Sequence, residues 1–205
     1  MAVRLGHIQV IEFLLENGCD VNAIVHVSGA LAVAALYAYL PVVKVLIARG
    51  AEVEPTELPT TPLIWAANQG HTEVVDLLLT NGANLNRAGS HGHKALHMAA
   101  AGNSTAMVKH LLELGMEIDQ VDHDRNAPLA DANSYRQLHN VRLLLEHGAK
   151  THFADKYGAT AVHKEIALGR VDIVQQLLTY GAAINVADKH GYTALTPQGT
   201  GVTST

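Results

Sequence analysis

The fold of this chain is decided by the stretch LLENGCDVN at residues 14–22, which runs from an apolar helix end through a glycine. The same pattern returns five times along the sequence. The copies read LIARGAEVE at 46–54, LLTNGANLN at 78–86, LLELGMEID at 111–119, LLEHGAKTH at 144–152 and LLTYGAAIN at 177–185. Their glycines are Gly18, Gly50, Gly82, Gly115, Gly148 and Gly181, so that successive copies lie 32 or 33 residues apart. This constant period predicts a stack of similar units, each too small to bury its apolar face alone.

A second pattern keeps the same period and marks the first helix of each unit. Its copies read TPLIWAANQGH at 61–71, KALHMAAAGNS at 94–104, APLADANSYRQ at 127–137 and TAVHKEIALGR at 160–170, with a last start, TAL, at 193. Thr61 and Pro62 are typical of a helix start, and Gly70 is typical of a helix end. The apolar spacing at 74–79 predicts a second helix that begins near residue 72.

Together the two patterns resemble the signature of the ankyrin-repeat family, T-P-L-H-x-A-A-x-x-G-H followed by V-V-x-x-L-L-x-x-G-A. The resemblance covers nearly the whole chain and implies an all-α solenoid of stacked helix-turn-helix units with β-hairpin loops. In this register residues 1–205 form a single domain. Its predicted parts are a partial unit at 1–23, complete units at 24–55, 56–88, 89–121, 122–154 and 155–187, and a partial unit with a C-terminal tail at 188–205. Because the first unit looks cut rather than capped, we expect the chain to belong to a longer repeat array.

Three units depart from the family pattern at positions that shape the backbone. The second unit has Ala38-Tyr39 where Gly-His is expected. The fifth has Arg125 in place of the hairpin glycine and Arg136-Gln137 in place of Gly-His. The sixth has Glu165-Ile166 for Ala-Ala. These changes indicate a natural, drifting sequence.

The composition excludes several classes of function. The 205 residues are 48% hydrophobic and 16% charged, which is typical of a packed domain. The net charge of −5 disfavours a nucleic-acid partner, which needs clustered Lys and Arg. Residues 1–10 have no secretory pattern, and the apolar run at 27–43 is too short for a membrane helix. With a single cysteine, these features favour a cytoplasmic or nuclear protein with no membrane partner.

Thirteen histidines raise the question of a metal site. His91 and His93 alternate near a predicted hairpin tip, and His123 lies on the next tip, but a zinc site needs further good ligands. We therefore expect solvated tips and no metal. The resemblance implies instead that His97 and His163 bond to neighbouring backbone.

The sequence offers no arrangement of catalytic residues. No Ser-His-Asp or Cys-His-Asn set can be assembled without arbitrary choices, and there is no Gly-rich phosphate loop. Cys19 takes the place that Ala51, Ala83 and Ala149 hold in other units, so we expect a packed thiol. The prediction is a protein without catalysis of its own and without a cofactor.

The resemblance implies a protein partner that binds the hairpin tips and the exposed face of the first, inner helices. Carried over position by position, the predicted partner-binding residues are Tyr37, Asn68, Gln69, His91, His93, His123, Asp124, Ser134, Tyr135, Tyr157, His190 and Tyr192. Exposed aromatic residues are the natural hot spots among them. The alternative is that the chain is the adaptor or effector arm of a larger enzyme, such as a ubiquitin ligase, with catalysis elsewhere.

One further position suggests a modifying partner. The stretch that ends at Asn22 resembles the sequence preferred by the asparaginyl hydroxylase that modifies ankyrin repeats, with Leu14 eight residues earlier and Asp20-Val21 just before it. The competing interpretation is that Asp-Val-Asn is ordinary hairpin sequence in this family.

Overall fold

The computed structural model of the chain describes residues 1–25 and 28–196, where six pairs of helical segments follow one another. Residues 26–27 and the predicted tail from residue 197 lie outside these ranges. The first segment of each pair is, in order, a short 3-10 helix (Val3–Leu5), α2 (Ala30–Leu36), α4 (Pro62–Gln69), α6 (Ala95–Ala101), α8 (Pro128–Ser134) and α10 (Ala161–Ala167). The second helices are α1 (Ile8–Glu16), α3 (Leu40–Ala48), α5 (Thr72–Thr80), α7 (Thr105–Glu113), α9 (Leu138–Glu146) and α11 (Val171–Thr179).

The pairs stack into a solenoid with one continuous core. Small residues such as Ala66, Ala67, Ala99 and Ala100 are fully buried, so successive first helices approach closely. Second helices of neighbouring units pack against one another less extensively. Because the first helices of neighbouring units pack more closely than the second helices, the first helices lie on the inner side of the solenoid. This arrangement agrees with the predicted all-α solenoid.

The helix ends follow the predicted local chemistry. The hydroxyl of Thr61 accepts a hydrogen bond from the Ile64 N–H at 3.2 Å and caps α4. Gly70 ends α4 with a φ of 80°, in the left-handed region where a glycine is unstrained. The second helix of this unit begins at Thr72, as predicted.

The hairpin loops differ in detail from the expected β-hairpins. Among the described residues the paired strands are β1 (Ile24–Val25) and β2 (Ser28–Gly29), which are antiparallel. Later tips are tight turns in which an aspartate side chain, and not a partner strand, accepts hydrogen bonds from the backbone of the turn. In the sixth unit, Asp155 Oδ1 accepts hydrogen bonds from the N–H groups of Tyr157 and Ala159. Asp122 and Asp188 have the same role in their own tips.

The prediction of a packed thiol at Cys19 is wrong, because this side chain is exposed. The same position is half-buried at Ala83 and buried in the other complete units, with Ala51, Met116, Ala149 and Ala182 each 5–8% exposed. Within the described residues the first unit has a neighbour on one side only. The position is therefore buried by stacking, which its local sequence does not reveal.

Candidate functional site

The tips of the last four units form one row that is held together by backbone hydrogen bonds. The His123 N–H donates to the His91 carbonyl at 3.1 Å, the Lys156 N–H to Asp124 at 3.2 Å, and the Lys189 N–H to Tyr157 at 3.3 Å. These hydrogen bonds fix the distance between neighbouring tips. The predicted tip residues His91, His123, Asp124, Tyr157 and His190 are all exposed along the row.

Beside this row, two cavities join into one groove at the sixth unit. The first has a volume of about 500 Å³ and the second about 320 Å³, and both are lined by Ala159 and Lys164. We call this the C-terminal groove; its lining includes Ser134, Tyr157, Ala159, Lys164, Leu168, His190 and Tyr192, with the carboxylates of Asp155, Glu165 and Asp188. It therefore brings together four predicted residues, one from inner helix α8 and three from two tips.

Large apolar side chains surround the C-terminal groove and face solvent. Tyr135, which follows the groove residue Ser134, is 67% exposed, Tyr157 is 60% exposed and Leu168 is 58% exposed. Lys156 Nζ lies 5.4 Å from the centre of the Tyr157 ring. Exposed apolar side chains rimmed by polar groups are characteristic of a surface that binds another macromolecule.

Lys164 sits at the centre of the groove and is held in place from two sides. Its Nζ lies 3.0 Å from Asp155 Oδ2 and 3.1 Å from Asn126 Oδ1. Burial raises the pKa of Asp155, but the hydrogen bonds from Lys164 and from the tip N–H groups outweigh it and leave the pKa lowered. Sequence reasoning missed Lys164, because it occupies the variable position after His163 in the signature.

The remaining predicted residues are not part of the C-terminal groove. Tyr37 is exposed and stacks on Tyr39, with ring centroids 5.9 Å apart. Asn68 is half-buried, and its amide donates to the Met98 carbonyl at 3.1 Å, while Gln69 is exposed and donates to Asn68. Asn68 thus connects α4 to the next inner helix.

Three histidines of these units, His93, His97 and His163, contact other protein groups. His93 Nε2 lies 3.1 Å from Asp122 Oδ2. His97 Nδ1 accepts from the Lys94 N–H, and its Nε2 lies 3.2 Å from the Asn126 carbonyl; His163 contacts Val186 in the same manner. Burial lowers the pKa of His97 to about 4. The predicted backbone role of His97 and His163 is confirmed. Within 1–25 and 28–196, no group of three or more His, Cys, Asp or Glu side chains is arranged to hold a metal ion.

Asn22 is exposed at the junction of the first two units. Its Nδ2 donates to the Gly50 carbonyl at 3.2 Å, and its Oδ1 accepts from the Glu52 N–H at 2.8 Å. The side chain therefore links the two loops, and its modification stays a prediction. In the described part of the chain, each helix falls short of the length and apolar character that a membrane crossing needs.

A stack of paired helices with an aligned row of tips and a groove beside it is a repeat solenoid, the class of protein that offers an extended surface to a partner. The family model "Ankyrin repeats (3 copies)" matches residues 31–122, 63–155 and 129–196, and the model "Ankyrin repeat" matches residues 1–25. The chain belongs to the ankyrin-repeat family.

Three comparisons show the extent of the similarity. Ankyrin repeat and SOCS box protein 11 of Pongo abelii is 38% identical over 113 residues, which are 55% of this chain and 35% of that protein. Putative ankyrin repeat protein YahD of Escherichia coli strain K12 is 28% identical over 183 residues, 85% of this chain and 91% of that protein. The crystal structure of the human ASB11 ankyrin repeat domain superposes with a TM-score of 0.83 and 25% identity, covering 97% of this chain and 91% of that one. The chain spans about a third of the length of the first relative.

Proposed function

We propose that this chain is a protein-binding scaffold whose partner contacts the row of tips and the C-terminal groove. The ankyrin-repeat fold is typically an interaction scaffold without catalysis of its own, so its sites must be sought on its surface. The observation that supports this surface is the exposure of Tyr157 and Leu168, which line the groove and are each more than half exposed, with exposed Tyr135 next in sequence to the groove residue Ser134.

The chemistry of the groove favours a peptide segment or a protein surface with apolar side chains at its centre. Tyr157 and Leu168 offer apolar area, and Tyr157 adds a hydroxyl for a polar contact at its edge. The carboxylates near the groove already accept hydrogen bonds, Asp155 from Lys164 and Asp188 from the N–H groups of its own tip. Binding an apolar partner therefore leaves these charges satisfied.

The test is an affinity capture with the purified full chain as bait, in three forms. The double variant Tyr135→Ala/Tyr157→Ala removes one side chain that lines the groove and one that follows the groove residue Ser134. The control Tyr180→Ala removes a 40% exposed tyrosine that follows the second helix α11. We expect the wild type and the control to recover the same specific partners, and the double variant to lose them, because an interface tyrosine is worth about 2 kcal/mol.

Thermal unfolding of each bait checks that the three proteins are folded alike. Equal recovery of every partner by the double variant would place the binding surface elsewhere. A loss with the Tyr180→Ala control, but not with the double variant, would place it on the second helices.

A second candidate function is that of a substrate-binding arm in a larger adaptor, such as one in a ubiquitin ligase. Its support is the likeness to the relative whose name includes a SOCS box, in sequence and in the ankyrin-repeat domain of its human counterpart. The test is the complete coding sequence around this segment. A reading frame that encodes ankyrin repeats alone would contradict this candidate and leave the scaffold proposal untouched.

A further inference from the structure

Apart from the two cavities of the C-terminal groove, a further cavity of about 280 Å³ lies between the loops of the first three units. Its lining includes the apolar side chains of Val21, Ile24, Leu31, Leu58 and Pro62. Two exposed carboxylate residues, Glu52 and Glu57, also line it. We call this cavity the acidic pocket; none of its lining residues belongs to the C-terminal groove.

The acidic pocket is a property of these units and not of every junction in the stack. The corresponding space between the fifth and sixth units is about 10 Å³ and is lined by Phe153 and Lys150. Counted from the glycine that follows each second helix, Phe153 corresponds to Pro55 and Lys150 to Glu52. The smaller proline leaves space where the phenylalanine fills it, and the lysine is exchanged for a glutamate.

The two carboxylates at this pocket are available to a partner. Other acidic residues of these units form ion pairs, Glu16 with Arg49 at 3.3 Å and Glu54 with Arg87 at 2.9 Å. Glu52 and Glu57 form none among the residues that the structure describes. Asn22 holds the backbone of Glu52 in place, because its Oδ1 accepts the Glu52 N–H.

The net charge of the units around the acidic pocket also favours a positively charged partner. Residues 1–88 contain four basic residues (Arg4, Lys44, Arg49 and Arg87) and eight acidic ones (Glu12, Glu16, Asp20, Glu52, Glu54, Glu57, Glu73 and Asp76). This segment therefore carries −4 of the net charge of −5. A partner that approaches here gains from positive charge and is disfavoured by negative charge.

We infer that the acidic pocket is a second docking site, which takes an aliphatic side chain from a protein segment with a Lys or Arg beside it. The apolar lining receives the aliphatic group, and Glu52 and Glu57 pair with the cation. The site is separate from the C-terminal groove and does not depend on it.

The test uses a random peptide library displayed on phage and panned against the purified full chain. Peptides selected on the wild type are synthesised with a fluorophore, and their affinities are measured by anisotropy at low and at high NaCl. Two variants probe the pocket: Glu52→Gln/Glu57→Gln removes its charges, and Pro55→Phe introduces the residue that fills the corresponding space. The matched control Glu73→Gln/Glu117→Gln removes two exposed carboxylates elsewhere.

We expect one class of selected peptides to place Lys or Arg next to Leu, Ile or Val. For this class, Glu52→Gln/Glu57→Gln should weaken binding about fivefold at low salt and less at high salt. Pro55→Phe should weaken it by about tenfold or more, with unchanged thermal unfolding, because the aliphatic group loses its site. The matched control and Tyr135→Ala/Tyr157→Ala should bind this class as the wild type does.

Selected peptides without this basic-aliphatic pattern, or affinities that neither pocket variant changes, would overturn the inference. If Tyr135→Ala/Tyr157→Ala abolishes binding of all peptides while the pocket variants bind normally, the acidic pocket is refuted and the groove proposal stands. The reverse result supports the pocket, and the groove proposal is then decided by its own affinity capture.

Discussion

The third unit, 56–88, and the fifth, 122–154, build the same pair of helices from different residues. In the third, α4 ends at Gly70 in the left-handed region; in the fifth, Arg136 adopts that conformation after α8, with a φ of 55°. Buried Ala67 corresponds to Asn133, and buried Val74 corresponds to Asn140. One backbone thus tolerates both a strained arginine and two buried amides.

A polar residue in one unit can satisfy backbone groups of the unit before it. Inner helix α6 ends at Gly102 with a φ of −74°, without the left-handed cap that closes α4. Asn140 compensates, because its Nδ2 donates to the carbonyls of Ala99, Ala100 and Gly102 at 2.9–3.2 Å. Asn133 has no such compensation, since both polar atoms of its side chain are buried without a partner among the described residues. The fifth unit should therefore be intrinsically the less stable of the two.

The largest effect on stability should come from substituting Gly70, which ends α4 in the third unit. A Cβ at Gly70 would overlap the Ser104 Cβ, and the φ of 80° strains any L residue. Gly70→Ala should therefore lower the free energy of unfolding by about 3 kcal/mol in urea denaturation, from strain and overpacking together. The control is Gly82→Ala, where φ is 93° but the added Cβ meets no atom within 4 Å, so that about 1 kcal/mol is expected. Equal losses in both variants would show that Ser104 moves aside.

The second largest effect should come from removing the Asn140 amide, which donates hydrogen bonds to the carbonyls at the end of α6. Asn140→Leu keeps the size of the side chain but leaves buried carbonyls of Ala99 and Ala100 without their donor. We expect a loss of about 2 kcal/mol in the free energy of unfolding, measured in the same way. Asn81→Leu, which removes one bond to the carbonyl of Leu77 in its own helix, is the exposed control and should cost about 0.5 kcal/mol or less. If the two variants lose equally, the bonds between units contribute no more than a local one.

Sequence reasoning reached the period, the helices and their local signals, because these depend on residues within one unit. The cap at Thr61, the end at Gly70 and the hydrogen bonds that the Nδ1 atoms of His97 and His163 accept at their own helix starts all belong to this class. The wrong prediction, at Cys19, concerns a position that only a neighbouring unit can bury.

The candidate site was less accessible to sequence reasoning for the same physical reason. The tips could be assigned by register, but the C-terminal groove depends on Lys164, which is placed by Asn126 and Asp155 from two other segments. The role of Asn140 follows from the conformation of Gly102, 38 residues away along the chain. A pattern with a period of one unit does not encode which partner a side chain finds in the next.

A smaller effect, dependent on pH, should distinguish the fifth unit from the third. Burial, and then the charge of Asp122, raise the pKa of Asp131 from 3.8 to about 7, although Lys164 lowers it. Since the folded state holds this proton more tightly, the stability from Asp131 is complete below about pH 4 and is lost as the pH rises to about 7. The full shift corresponds to about 4 kcal/mol, of which we expect about 2 because the side chain is only half-buried.

Asp131→Asn removes this titration and keeps the shape of the side chain. The variant and the wild type should unfold at similar denaturant concentrations at pH 4, and the variant should be the more stable at pH 8. His97, whose lowered pKa reduces stability as the pH falls, acts equally in both proteins and cancels in the difference. If the free energies of unfolding of the two proteins change in parallel with pH, the pKa of Asp131 is not raised by folding, which would contradict the prediction.

The smallest effect should come from giving the fifth unit the glycine of the third. Arg136→Gly relieves about 1–2 kcal/mol of left-handed strain, but glycine loses more conformational entropy on folding, so a net gain of about 0.5–1 kcal/mol is expected. The ion pair of Arg136 with Asp172, at 3.5 Å between exposed side chains, contributes little against this gain. Arg136→Ala removes the same pair but keeps the strain, so the difference between the two variants isolates the backbone effect. Ala38→Gly, at a φ of 56° in the second unit, should give the same gain. If Ala38→Gly stabilises the protein and Arg136→Gly does not, the arginine side chain has a stabilising contact in the fifth unit that outweighs its strain.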